Sequence, residues 1–393
     1  MNGFENRIQT FLDRKRSLDV ANHQFYLREI QANDNQYVII GGKRYLNFTT
    51  YSYLGLIGHE KIDKAAKEAI DKYGSGTHGV RVLAGTTSLH VELEKRIAEY
   101  KNTDDAIAFS SGYVTNLTTI STLCGHGDEI FADNIVHASI YDGCLLSRAR
   151  FSRFKHNDLD DLESMLKKST AVGKFIVVDS VFSMDGDITP LPQIIKLAKK
   201  YNALLMVDEA HSLGVLGKTG HGILEHFGLE DGIDIQMGTL SKTIPATGGY
   251  IAAKQDIIDF IRYNARAFVF SAALTPATAA SAKVAFDVLE EEQWRLHNLQ
   301  ENIAYYIKSL RQAGFETGNS ETAIVPIILH EEEPTLETTR LLFEEGVFIM
   351  PILPPAVPPN TARLRANVTA IHTKQDIDFM IEKLTKVWKK LGR

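Results

Sequence analysis

Asp234-Ile-Gln-Met-Gly-Thr239-Leu-Ser241-Lys242-Thr-Ile-Pro245-Ala-Thr-Gly248-Gly249-Tyr250 is the stretch whose reading decides the fold. Its apolar opening reads as a strand that closes in Gly238-Thr239-Leu240-Ser241, and a single lysine follows with hydroxyls on either side. Pro245 and Gly248-Gly249 then break the run. A lysine at such a strand end faces a cavity instead of water. Taken alone, Lys242 reads as a solvated loop residue, as most lysines after a strand do, so its meaning depends on what the chain brings beside it.

A second stretch supplies that company. Tyr201-Asn-Ala-Leu-Leu-Met-Val-Asp208-Glu-Ala-His211 is a continuous apolar run, the pattern of a parallel strand buried on both faces, and it ends in an acid and a histidine. Ligands of open α/β sheets bind beyond the carboxyl ends of the strands, so Asp208 and His211 are expected where Lys242 also emerges. An amine in a low-polarity site can condense with an aldehyde, and pyridoxal 5'-phosphate (PLP) is the obvious one. Asp208 could then pair with the pyridinium nitrogen and keep the ring an electron sink, while Thr239 and Ser241 offer hydroxyls to the phosphate.

Composition narrows the alternatives. With 393 residues, 44% of them hydrophobic, the chain can bury a large core and reads as one large domain plus a smaller one. A net charge of -6 gives no basic footprint for nucleic acid. Cys124 and Cys144, the only two cysteines, are too few for a thiolate zinc set or a disulfide framework and fit a reducing cytoplasm. No apolar run reaches the ~18 residues that span a bilayer, and Met1 to Asp19 is too charged for a secretion signal.

Along the chain, residues 1–50 read as an arm: a helix from Phe4 to Leu18, then a hairpin from Tyr37 to Phe48 turning at Gly41-Gly42. Thr50-Tyr51-Ser52-Tyr53-Leu54-Gly55-Leu56 is either a packed aromatic turn or a substrate contact. Gly74, Gly76, Gly79 and Gly85 punctuate a loop that lacks the Gly-Lys-Ser/Thr of a phosphate loop. The strand Ala106 to Phe109 runs through Ser110-Ser111-Gly112-Tyr113 into a helix start, a ready anion site. His137 follows another strand near a helix start and is either a ring-stacking residue or a capping one. Phe175 to Asp179 is a further buried strand leading to Ser183; Asp185 and Asp187 have metal-like spacing but no further ligands follow, so no metal is expected. Asp208-Glu209-Ala210-His211 with Gly217-Lys218-Thr219 imitates a nucleic-acid-dependent ATPase, but Ser212 stands where a phosphate loop needs glycine and the motif order is reversed. One long helical run from Ala279 to Ala313 is expected, followed by alternating short strands and helices ending in a helix from Lys374 to Leu391.

The assembled set resembles the α-oxoamine synthases, a PLP-dependent family that includes 8-amino-7-oxononanoate synthase and serine palmitoyltransferase. Ser111-Gly112-Tyr113, Asp133 with His137-Ala138-Ser139, Phe182 to Asp187, Asp208 to His211, Thr239 to Lys242 with Gly248-Gly249-Tyr250, Phe270-Ser271 and Arg363-Leu364-Arg365 carry the likeness, from about residue 20 onward. It implies an α/β fold of type I among PLP enzymes, aspartate aminotransferase-like, with a large mostly parallel sheet domain at 51–280 and a smaller C-terminal α+β domain at 281–393. It further implies a homodimer with shared active sites that joins a small amino acid to an acyl-CoA or acyl-carrier protein. Lys242 would hold the cofactor and later remove the α-proton. His137 would stack on its ring, Asp208 would pair with the ring nitrogen, and His211 and Ser183 would serve its oxygen. Ser111, Gly112, Tyr113, Thr239 and Ser241, with Ser271 from the other subunit, would serve the phosphate, and Arg365 would bind the substrate carboxylate.

Departures from the family pattern bear on substrate. Tyr51-Ser52 stands where several members carry asparagine, a feature similar to serine palmitoyltransferases; Ala272 follows Ser271 where others have threonine. Arg28 is the candidate cation for a distal acyl carboxylate. Transamination or aldol cleavage on the same fold, or a non-catalytic partner subunit, are the alternative expectations.

Overall fold

The computed structural model describes residues 3–20 and 25–393, and the chain forms two units, Met1–Thr50 with Glu301–Arg393 and Tyr51–Gln300. After the helix Gly3–Val20, the first unit folds its alternating segment into β1 (Ala32–Asp34), β2 (Tyr37–Ile40) and β3 (Lys43–Asn47), antiparallel in that order. Gly41 and Gly42 take φ of +56° and +73°, the left-handed pair that a two-residue hairpin requires.

In the second unit β4 (Asp105–Phe109), β5 (Glu129–Asp133), β6 (Arg150–Phe154), β7 (Lys174–Asp179), β8 (Ala203–Asp208), β9 (Ile235–Ser241) and β10 (Pro245–Ala253) form one seven-stranded sheet, ordered β4-β10-β9-β8-β7-β5-β6. The pairs from β6 through β9 are parallel, and β10 alone runs against its neighbours. The continuous apolar runs of β7 and β8 follow from burial on both faces: Ile176, Val177, Val178, Leu205, Met206 and Val207 are each 0% exposed. On one face Val177, Met206, Met237 and Ile251 pack with Ile120, Ile140 and Ile258 from the helices Gly112–Leu123, Ala138–Ser147 and Gln255–Asn264. Each such side chain contributes roughly 1.5–3 kcal/mol by leaving water.

The first unit resumes with β11 (Ile324–His330), β12 (Val347–Phe348), β13 (Met350–Ile352) and β14 (Ala362–Asn367). β11-β14-β13 is an antiparallel sheet, whereas β12 pairs in parallel with β3, Val347 opposite Leu46. That pairing, with the His372 ring stacked on Phe48 at 4.4 Å, explains why residues 1–50 group with the C-terminal segment instead of standing as a separate arm. The observed division at 300 also differs from the expected one at 280.

Two local expectations need correction. The helical run from Ala279 to Ala313 is two helices, Pro276–Glu291 and Trp294–Gln312. Glu290, Glu291 and Glu292 crowd negative charge at a helix carboxyl end, and Glu292 leaves helical geometry (φ -110°, ψ 53°) with its carboxylate on His59 and Arg295. Pro245 and Gly248-Gly249 do not end the strand pairing but lie inside β10, where they interrupt its regularity: the register shifts between Pro245 and Gly249. At a strand's first residue a proline forfeits no essential ladder bond.

Close backbone approach sets the position of the helix Gly112–Leu123 over β10. A Cβ on Gly249 would stand 2.5 Å from Thr115 Oγ1 and 2.7 Å from Gly112 Cα. Gly249→Ala is therefore expected to destabilise the chain by about 1–3 kcal/mol, read as a lower urea midpoint.

His156 clamps the loop after β7: Nδ1 meets Asp133 at 3.1 Å, Nε2 meets Asp187 at 2.8 Å, and the ring abuts Phe182 edge-on. Burial opposes its charge, but the two carboxylates outweigh it and raise its pKa from 6.5 to about 10. A raised folded-state pKa gives stability that is full below 6.5 and is lost as the pH climbs through about 10. Unfolding midpoints measured across that window should fall more for this chain than for His156→Gln.

Candidate active site

The carboxyl ends of β7, β8 and β9 converge on a cavity of about 340 Å³. β8 delivers Asp208, 4% exposed, whose Oδ1 accepts the Ala210 N–H at 2.8 Å and whose Oδ2 accepts Asn116 Nδ2 at 2.7 Å. Glu209 turns the other way, into a buried ion pair with Lys101, so consecutive acids serve opposite sides of the strand end. Two residues on, His211 Nε2 lies 2.8 Å from Lys242 Nζ, and its Nδ1 lies 2.7 Å from the hydroxyl of the fully buried Tyr53. The Tyr51 ring closes this corner, 5.7 Å from the lysine nitrogen and edge-on to His211.

Across the cavity, β5 leads to His137, which caps the helix Ala138–Ser147. Its backbone N–H donates to Asp179 Oδ2 at 2.9 Å, and its Nδ1 meets Ser139 Oγ at 2.7 Å. The capping reading of this histidine is met, and its ring also lines the cavity. Burial, reinforced by the Lys242 charge, pushes its pKa down against the pull of Asp208. Asp179 sits opposite Asp208 in the β7–β8 register, and burial first, the Asp208 charge second, hold its carboxyl well above the usual range.

Ser111 is the N-cap of the helix Gly112–Leu123, so the first N–H groups of that helix border the cavity. A Cβ on Gly112 would stand 2.8 Å from Thr239 Oγ1, so only glycine brings the helix start this near β9. Thr239 donates to the Gly248 carbonyl at 3.0 Å, and Ser241 lies 2.9 Å from the same hydroxyl. The Tyr113 hydroxyl donates to Asp142, and its ring meets His137 edge-on.

Of the expected residues, Lys242, His137, Ser111, Gly112, Tyr113, Ser183, Asp208, His211, Thr239, Ser241 and Tyr51 line this cavity. Ser52 does not: it is buried, and its Oγ accepts the Leu56 N–H at 3.1 Å within the turn. Ser271 lies in a separate recess with Phe109 and Ser110; its expected role concerned the other subunit's copy. Arg365 and Arg28 belong to the other unit. There Arg365 Nη1 donates to Asn367 Oδ1 at 2.9 Å, and Arg28 stacks over Phe343 at 4.0 Å. Sequence reasoning assigned no role to Asn116, Ser139 or Asp179, and it did not foresee the bond from Tyr53 to His211. A signal existed for Asn116, four residues past Gly112 on one helical face, and for Asp179, at the end of an apolar run like that of Asp208.

The aminotransferase class I and II family matches residues 43–384. The chain is 45% identical over 368 residues to the 8-amino-7-oxononanoate synthase of Thermosipho melanesiensis, covering 93% of this chain and 94% of that one. It is also 45% identical over 367 residues to the serine palmitoyltransferase of Bacteroides thetaiotaomicron, covering 93% of each. A solved serine palmitoyltransferase with its PLP internal aldimine superposes with a TM-score of 0.96 at 32% identity, over 100% of both chains. With its lysine, acid and histidines gathered at the strand ends, the chain belongs to the aminotransferase class I and II family and, within it, to the α-oxoamine synthases.

Proposed function

We propose that this chain is a PLP-dependent C-acyltransferase that joins a small α-amino acid to an acyl thioester, carried by CoA or a carrier protein, and yields an α-amino ketone, the free thiol and CO2. The convergence of Lys242, His211 and Asp208 on one cavity carries the reading, and relatives at 45% identity support the reaction class.

The donor set fits the cofactor. Asn116 Oδ1 is buried without a hydrogen-bond partner among the described residues, in the side chain that grips Asp208, so an N–H brought to this end of the cavity would meet acceptors already in place. At the other end the helix start beside Thr239 suits a phosphate. When bound, PLP supplies an electron sink for the pair left at the α-carbon of an amino acid.

The chain's own residues do the rest. Asp208 would hold the ring nitrogen protonated, and His137 would wall one face. His211 and Ser183 would serve the ring oxygen, and Ser111, Gly112, Tyr113, Thr239 and Ser241 the phosphate. Lys242 Nζ would bind the aldehyde carbon and later take the α-proton, with His211 Nε2 2.8 Å away to share it. The planar fork of Arg365 suits the amino-acid carboxylate. Tyr51 borders the lysine and would contact substrate, and Arg28 is the cation for an acyl chain ending in a carboxylate. A homodimer in which the partner supplies Ser271 is part of the proposal. Leu83 and Phe270, 81% and 76% exposed on either side of the Val80–Ala272 bridge, support it as apolar surface that a second copy would cover. No helix among the described residues is long and apolar enough to cross a membrane, and a cytoplasmic setting fits the two free cysteines.

Borohydride reduction of the holoenzyme, followed by digestion and mass spectrometry, should find a pyridoxyl tag on Lys242; a tag elsewhere, or none, refutes the assignment. Lys242→Ala should lose roughly 10²- to 10⁴-fold in kcat. Incubated with glycine, alanine or serine and a series of acyl-CoAs, the enzyme should release thiol and CO2 in equal amounts, whereas a keto acid formed without thiol would point to transamination.

A further inference from the structure

Asp208 accepts on both oxygens, from Ala210 N–H and from Asn116, and a carboxylate has no hydrogen to return. The Asn116 amide must therefore turn its NH2 toward Asp208. The second hydrogen of that NH2 reaches Ser139 Oγ at 2.9 Å. With Oγ accepting there, the Ser139 hydroxyl hydrogen is left for His137 Nδ1 at 2.7 Å, and the Ser139 backbone N–H approaches the same nitrogen at 3.3 Å. Nδ1 is thus an acceptor twice over, which leaves the proton of a neutral imidazole on Nε2.

We infer that Asn116 and Ser139 are positioning residues that relay the charge of Asp208 to His137 and fix its imidazole as the neutral tautomer with the proton on Nε2. Capping alone explains the Ser139 N–H on Nδ1, but it does not explain a hydroxyl and an amide, 0% and 1% exposed, lined up between the imidazole and a buried carboxylate. Nε2 has no hydrogen-bond partner among the described residues, so its N–H remains a donor for an oxygen atom of a ligand in the cavity. A neutral His137 also keeps a second cation away from Lys242.

The groups facing His137 from each side agree with this state. Asp179, at the end of β7, takes its backbone N–H; Asp208 faces it from β8, Lys242 from beyond β9, and Tyr113, whose hydroxyl is held by Asp142, from the helix Gly112–Leu123. Burial and Lys242 both favour the neutral ring, and Asp208 is the opposing influence.

The kinetic arm of the test rests on the proposed acyl transfer, and the spectroscopic arm does not. In holoenzyme labelled with nitrogen-15 histidine, with His137 assigned by its loss in His137→Asn, the neutral Nε2–H tautomer should persist across neutral pH. Ser139→Ala should give mixed tautomers and move the acid limb of kcat/KM up by about one pH unit, a tenfold loss on the acid side. Asn116→Leu, close in volume, should shift it the same way, and Ser139→Cys, which keeps a weak donor, should recover part of it. An imidazolium or an Nδ1–H tautomer in the parent protein overturns the inference. So do nitrogen shifts and a pH limb that stay in place in both Ser139→Ala and Asn116→Leu while the variants remain folded by circular dichroism. Should no acyl transfer be found at all, the tautomer still decides this inference by itself.

Discussion

A carboxylate buried at the end of a strand is the constraint from which the second unit's arrangement follows. Removing such a charge from water costs on the order of several kcal/mol unless donors replace the lost hydration. Asp208 meets that demand with one backbone N–H and one amide NH2, and both donors come from segments that must be where they are for other reasons. The Ala210 N–H belongs to the turn that also carries His211. Asn116 lies on the helix whose start is pressed against β9 and β10 by Gly112 and Gly249. Satisfying Asp208 therefore holds together the elements that bear the lysine, the helix amino terminus and the histidine wall.

The same economy governs charge in the cavity. Two acids, Asp179 and Asp208, end adjacent strands in direct register, and both cannot be ionised at low cost. Asp179, by its burial and by the Asp208 charge beside it, is pushed toward its neutral form and uses an oxygen to accept the His137 N–H. Asp208, held by its two donors, is the carboxylate placed to face a cationic ring nitrogen. Opposite it, Lys242 and His211 form the basic pair, and Tyr53 anchors the histidine from below. An acid and a base are thus kept apart by a cavity's width, with neutral, oriented groups on either side.

Much of this was legible in the residues. The continuous apolar runs of β7 and β8 announced strands covered on both faces, and chemistry-bearing residues directly after them announced where a ligand would sit. Lys242, Asp208, His211, His137 and the Ser111-Gly112-Tyr113 turn were all readable that way. Ser139 was not, and Asn116 only by its position one turn past Gly112, because a polar residue in a helix's first turns has many local uses and the partner across the cavity distinguishes them. Ser52, read beside Tyr51, does not line the cavity, and its Oγ accepts the Leu56 N–H within the turn.

The sequence by itself determined the buried strands and the residues at their ends, because burial period and strand-end position are local properties of the chain, and its motifs together carried the family resemblance that implied the chemistry. Tertiary structure alone decided the pairing of β3 with β12, which joins residues 301 positions apart (347 against 46) into one sheet. It alone decided which hydroxyl meets which nitrogen around Asp208 and His137. Those are matters of distance and direction between segments remote in sequence, and no periodicity records them.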